Sequence, residues 1–257
     1  MKYVYPKLPA VYTTSFFRVG GNGLANCLLV YAKAIITAYK NDAKIIAPTW
    51  FNLTIGPHLR NQKDKRHYLG LFNHEGEIYG LKKCLLLTFP NFLGSEIVIE
   101  SGIHDYFKPL VEYHDLVSNY ITGHIKTEVL KAVNMFDFDN TVAVHVRLGD
   151  YPDSWRVPIE WYKKKILAIG INKRILVFSD GHDSELDELL CLQNVERVFF
   201  GSAIADIIAM SKCSFLIGSD SSFSAWAAYL GQIPCCFYKF RFGVVLQDSS
   251  NQIIENV

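Results

Sequence analysis

From Thr141 onward the chain alternates short apolar runs with amphipathic stretches, and this alternation restricts the fold more than any other feature of the sequence. Thr141–Val146, Arg174–Phe178, Val195–Phe200, Ser214–Gly218 and Ile233–Phe237 read as strands. Pro158–Ala168, Ser184–Cys191, Ala203–Lys212 and Ser222–Leu230 read as the helices between them. Strands joined through helices of this length form a parallel sheet covered on both faces. Ligands of such sheets lie outside the carboxyl ends of the strands, so the informative residues are those just after each strand.

The first half shows the same pattern once. Ser15–Val19 reads as a strand, the run Gly20, Gly21, Asn22, Gly23 as a turn, Leu24 onward as a long helix, and Ala43–Pro48 as the next strand. Residues 49–95 mix aromatic and basic side chains without a clear period and read as loops and short pieces; Glu96–Ser101 reads as a strand and Leu110–Val133 as helical. At 257 residues the chain has room for one large domain or two small ones. A 50% hydrophobic and 20% charged composition excludes disorder, and a net charge of +1 gives no global field to recruit nucleic acid or an anionic membrane. An anion must therefore be caught locally. Six cysteines without CxxC spacing read as reduced thiols rather than disulfides or a zinc site. The N-terminus lacks the apolar core of a signal peptide, and Leu24–Tyr39, interrupted by Asn26 and Lys33, is too short and too polar to span a membrane. These features predict a soluble intracellular protein.

Each strand end offers a candidate. Glycines 20, 21 and 23 suit either a tight turn or an anion cradle at a helix start. After the strand at 141 comes His145-Val-Arg147-Leu-Gly-Asp150-Tyr151; positions 145 and 147 share one side of the strand, and the fork of Arg147 can hold two phosphate oxygens. Asp150 can orient Arg147 or cap the turn. Ser179 and Asp180 follow the strand at 174 and suit a turn or an N-cap. Ser221, Ser222 and Phe223 open a helix whose N–H groups suit a phosphate. Asp206 can accept from a base or ribose hydroxyl, or favour a helix start.

These residues resemble a known family. HVRLGDY is similar to the HxRRxD motif of fucosyltransferases that use GDP-fucose, and the run from Asp206 to Gly231 resembles a later motif of the α-1,2-fucosyltransferases. GLANCLLVYAKA, beginning at Gly23 and including Asn26, resembles their GLGNQMFQYAFA, and the FSD ending at Asp180 resembles their central strand end. Leu148 stands where the motif has its second arginine, and Ala225 precedes Trp226 where the family has a second Trp. The resemblance implies an α/β, GT-B-like fold of two facing Rossmann-like halves with parallel sheets: 1–135 on the acceptor side and 136–257 binding the nucleotide sugar. It implies an inverting, metal-independent transfer of fucose from GDP-fucose, a co-substrate rather than a cofactor, to a glycan hydroxyl such as galactose O2. His145 and Asp206 would lie near guanine and ribose, Arg147 at the β-phosphate, and Ser221, Ser222 and Phe223 along the diphosphate and fucose, with Ser179 also on the donor side. Asp150 and Asp105 are candidate bases, and Trp50, Arg60, Arg66, His67 and Tyr68 candidates for acceptor choice. No nucleic acid partner is expected; a lipid-linked acceptor would bring the protein to the inner face of a membrane.

Three other readings compete. Asp137 and Asp139 in DFDNT match the nucleophile loop of haloacid-dehalogenase-like phosphatases, with Mg²⁺ and an aspartyl intermediate. The same DFD would suit the metal-binding DxD of a GT-A glycosyltransferase. Leu148 admits a nucleotide-sugar-binding protein without catalysis.

Overall fold

The computed structural model describes residues 1–60, 62–90 and 94–255. The chain forms two compact units, one of Met1–Leu59 with Lys65–Val129 and one of Arg60–Asp64 with Leu130–Val257. The second unit thus takes in a five-residue segment from the stretch that reads as loops in the sequence, and its main body begins at Leu130 rather than 136.

The first unit contains β1 (Lys2–Pro6), β2 (Tyr12–Thr13), β3 (Arg18–Val19), α1 (Leu24–Asn41), β4 (Lys44–Ile45), β5 (Asn52–Leu53), α2 (Gly56–Leu59), α3 (Gly80–Thr88), β6 (Glu96–Glu100), α4 (Lys108–Val111) and α5 (His114–His124). Its parallel sheet has the order β4-β1-β6. Tyr3 and Tyr5 on one face of β1 join Ile46, Ile78 and Leu86 in a core, while Val4 faces the other way and α1 packs on the strand. The expected strand at Ser15–Val19 shrinks to Arg18–Val19, which pairs with β2 and β5 in a separate small sheet. The βαβ unit is β1–α1–β4, so the glycine run does not follow a strand of the main sheet. Leu110–Val133 is broken into short helices: Ile125 leaves the helix to bridge Phe72.

The second unit contains α6 (Lys131–Asn134), β7 (Thr141–Val146), α7 (Ile159–Ile169), β8 (Arg174–Ser179), α8 (Asp187–Leu190), β9 (Val195–Arg197), α9 (Ala203–Ser211), β10 (Phe215–Gly218), α10 (Ser222–Gly231), β11 (Cys235–Tyr238) and β12 (Gln252–Glu255). All six strands are parallel, in the order β12-β11-β10-β7-β8-β9. Every residue of β7 is buried, as a central strand covered on both faces requires. Val142, Val144 and Val146 meet Trp161, Tyr162 and Ile166 on one face; Ala143 and His145 point to the opposite face. From β7 the chain proceeds outward through β8 and β9, then returns to β10 on the other side of β7. The strand order therefore reverses between β7 and β10, and a crevice opens there at the carboxyl ends.

No helix among the described residues is long and apolar enough to cross a membrane. All six cysteines are free thiols, four of them buried.

Candidate active site

The residues that follow β7, β8, β10 and β11 meet at one end of the second unit's sheet. The side chain of Arg147, just past β7, is about one-fifth exposed. Its Nη1 donates to Asp180 Oδ2 and its Nη2 to Asp150 Oδ1. Asp180 also accepts from the Leu148 N–H at 3.0 Å, which fixes the turn after β7 against the turn after β8. Gly149 is required there, because a Cβ would collide with the Asp180 carboxylate and come within 2.9 Å of Gln62 Nε2. Two of the five guanidinium N–H groups are thus committed to carboxylates. Arg60 Nη2 lies 3.9 Å from Asp150 Oδ2, so two arginines and two aspartates make an electrically balanced cluster. Two cation–π contacts border it, Arg147 over Tyr151 at 5.0 Å and Arg241 over Trp155 at 5.3 Å.

His145 is buried. Its Nδ1 lies 2.6 Å from Ser224 Oγ and 3.0 Å from Ser219 Oγ, and its ring stacks on Phe223 at 5.0 Å. Burial lowers its pKa to about 3; Asp180 opposes the shift and Arg147 adds to it. The neutral imidazole ties β7 to the β10–α10 turn, which makes it a positioning residue. Because the folded pKa lies below the unfolded one, this contribution to stability is full above pH 6.5 and is lost as pH falls toward 3. Ser224→Ala should leave Nδ1 with a poorer partner and cost about 1–3 kcal/mol, read from chemical denaturation at pH 7.

At the crevice, Ser221 caps α10, its Oγ accepting from Phe223 N at 3.2 Å, and Ser222 is the first residue of the helix. Ser179 Oγ accepts from Gly181 N at 3.1 Å, so it closes its own turn. Asp206, in the first turn of α9, accepts from the Phe200 N–H at 2.7 Å. Its pKa rises to about 7, chiefly through burial; the Phe200 N–H lowers it, Asp64 raises it and Lys63 lowers it.

The glycine run belongs to the first unit. Gly20 and Gly21 adopt positive φ, and a Cβ on Gly21 would strike the backbone of Pro9 and Ala10. The first N–H of α1, at Leu24, donates to the Tyr68 hydroxyl at 2.8 Å. Behind the loop, fully buried Arg18 donates to the carbonyls of Pro9 and Gly20. The turn reading thus accounts for Gly20, Gly21, Asn22 and Gly23, and Asn26 sits in the first turn of α1. Asp105 also belongs to the first unit, in a left-handed turn beside Lys33.

Sequence reasoning missed three contributors. Asp180 reads as a plain turn residue but anchors Arg147. Arg241 places a further guanidinium at the rim; its backbone N–H donates to Asp220 Oδ1 at 3.0 Å, and its Nε lies 3.5 Å from Asp220 Oδ2. Arg60–Asp64 reads as acceptor-side loop yet belongs to this unit; the only signal was its basic composition.

The phosphatase reading fails on geometry. Asp137 Oδ1 accepts from Asp139 N at 2.9 Å in an exposed turn at the amino end of β7, opposite the end that carries Arg147 and Asp180. Among the described residues no group of three or more His, Cys, Asp or Glu side chains is placed to hold a metal ion.

Comparison with known proteins follows the same line. No curated protein matches the chain. Among solved structures, the fucosyltransferase NodZ from Bradyrhizobium aligns at a TM-score of 0.55 and 13% identity, over 90% of this chain and 93% of that one. A mutant of FUT1 from Arabidopsis thaliana in complex with GDP aligns at 0.53 and 13%, over 92% and 70%. POFUT1 in complex with GDP aligns at 0.51 and 12%, over 95% and 98%. At these identities the likeness is one of fold, and it makes the α/β architecture GT-B-like. The model of Glycosyl transferase family 11 matches residues 101–233, which is 133 of 257 residues and includes every strand end of the rim except that of β11. The chain belongs to glycosyl transferase family 11.

Proposed function

We propose that this glycosyltransferase moves fucose from GDP-fucose to a glycan hydroxyl, with inversion and with protein groups rather than a metal ion neutralising the leaving diphosphate. The observation that carries the reading is the position of Arg147 at the sheet's reversal point, beside the N-terminus of α10. As the glycosidic bond breaks, negative charge grows on the β-phosphate, and a donor set that is strongest at that moment lowers the barrier. Arg147 has guanidinium N–H groups beyond the two held by Asp150 and Asp180, and the first turn of α10 adds backbone donors. Ser221, Ser222 and Phe223 line the diphosphate and sugar in this account, and Asp206 accepts from the base. His145 keeps the turn in place rather than touching the nucleotide. Asp150 is the candidate base.

The donor is supported by fold relatives: NodZ has been soaked with GDP-fucose, and POFUT1 and FUT1 bound to GDP. The linkage is not a property of the fold, because NodZ is an α-1,6-fucosyltransferase. The α-1,2 linkage to galactose rests on the motif resemblance alone. A cytoplasmic enzyme acting on a surface-glycan precursor, loosely held at a membrane if that precursor is lipid-linked, fits this chemistry.

The test compares nucleotides. A ligand that binds only the folded state raises the apparent melting temperature. GDP should raise it most, UDP and CMP little, and EDTA should leave both the GDP shift and fucose transfer unchanged. A larger shift with UDP, or loss of transfer in EDTA, would refute the donor or the metal-free step respectively. GDP binding without GDP release for any glycan acceptor would favour a binding protein instead.

A further inference from the structure

The first unit contains a cavity of about 190 Å³ whose lining includes Thr49, Trp50, Phe72, His74, Tyr79 and Lys83. At 10–15 Å³ per water-sized atom this is room for on the order of a dozen atoms, the size of one sugar ring with its substituents. Its walls are aromatic: Trp50 stacks on Phe72 at 4.3 Å, and Tyr79 on His74 at 5.7 Å. The C–H face of a pyranose carries slight positive charge and lies favourably on such rings.

Lys83 gives the cavity its charge. It is 5% exposed, unusual for a lysine, and its Nζ donates to Thr49 Oγ1 at 2.9 Å. It forms no ion pair among the described residues. The carboxylate that acts on it, Glu77, is engaged by Tyr31 at 2.6 Å and His74 at 3.1 Å. The Tyr5 ring lies 5.7 Å from Nζ, and the titratable His74 and Tyr79 line the same cavity. A second feature is Trp50, 6% exposed, whose indole lines the cavity. A buried ammonium with one neutral hydrogen-bond partner suits a charged, acceptor-rich ligand.

We infer that this cavity binds a pyranose carrying a carboxylate, with the carboxylate at Lys83 and the sugar ring against the aromatic walls. The ligand's being a sugar rests on the glycosyltransferase reading; the carboxylate rests on Lys83. Burial lowers the Lys83 pKa to about 8, with Glu77 opposing the shift, so the ammonium and its hold on a carboxylate are lost as pH rises through that value.

The experiment titrates the full chain with methyl galacturonoside and with methyl galactoside, followed by saturation-transfer NMR and tryptophan fluorescence. The uronoside should bind roughly tenfold more tightly at pH 7, as expected for a hydrogen bond to a charged partner. Lys83→Met, which replaces a buried charge by an apolar chain of similar length, should abolish the preference. Should that variant not fold, the wild-type chain decides: the preference should fall between pH 7 and pH 9, while galactoside affinity stays constant. Equal binding of the two sugars, a preference retained in Lys83→Met, or one indifferent to pH overturns the inference. A GDP melting shift on the same sample keeps the two readings apart. A normal shift with no uronoside preference removes this inference alone, whereas loss of the shift strikes the donor reading.

Discussion

Arg147→Ala should lower the rate of fucose transfer by about 10²–10³-fold, the loss of roughly 2.7–4 kcal/mol that follows removal of one preorganised oxyanion donor. The melting temperature should change far less, because Arg147 lies on the rim and its partners Asp150 and Asp180 are themselves partly exposed. Arg147→Lys should fail almost as completely. An ammonium keeps the charge but cannot be held by two carboxylates through one planar group and still present N–H donors to a phosphate. Leu148 sharpens the expectation: with no adjacent arginine in the motif, no neighbour on the strand end substitutes. Asp150→Asn separates two roles in the same assay. If Asp150 takes the acceptor proton, turnover falls while GDP affinity holds; unchanged turnover removes it as the base. A variant at 147 that transfers fucose at the wild-type rate would end the assignment of Arg147.

Asp206→Asn is expected to stabilise the unliganded protein at pH 8 by on the order of 4 kcal/mol, and to weaken GDP binding. The sign follows from the direction of the shift. The Asp206 pKa is raised to about 7 from an ordinary 3.8, so the folded protein prefers the protonated acid. Its contribution to stability is complete below about pH 4 and is lost as pH rises through 7. Asparagine cannot ionise, and its carbonyl still accepts from the Phe200 N–H, so the variant avoids the loss. The wild-type and variant stability curves should therefore coincide below about pH 4, diverge as pH rises from 4 to 7 and run parallel above that, as urea unfolding across pH 4–8 would show. The carboxylate is kept despite its cost in the free protein, and a nucleotide base donating to it would offset that cost. A variant that gains stability and binds GDP as tightly as the wild type would leave Asp206 a helix-start residue only.

The rim of the second unit was largely legible because parallel α/β sheets bind at strand ends and the strands themselves were legible. Fully apolar runs such as Thr141–Val146 have few other ways to be buried. What could not be read was long-range. Asp180 looks like a turn until β7 and β8 are paired, and Arg241 follows β11 in a loop without a period. Arg60–Asp64 carries only its basic composition as a mark of the unit it joins. β1 escaped because Lys2 and Pro6 bracket its apolar residues, and β12 because Gln252 and Glu255 make it look like a polar tail. With β1 unread, the strand before the glycine run was taken into the βαβ unit, whereas β3 pairs with β2 and β5 in a separate small sheet. His145 shows the same limit differently. Strand alternation placed it correctly beside Arg147, but only the packing of Ser219, Ser224 and Phe223 shows that it faces inward.

The most direct test of the account is a crystal structure of the protein with GDP. The guanidinium of Arg147 should lie within hydrogen-bond distance of β-phosphate oxygens, with the N-terminus of α10 on the other side of the diphosphate. A diphosphate bound elsewhere, with Arg147 still closed between Asp150 and Asp180, would contradict it.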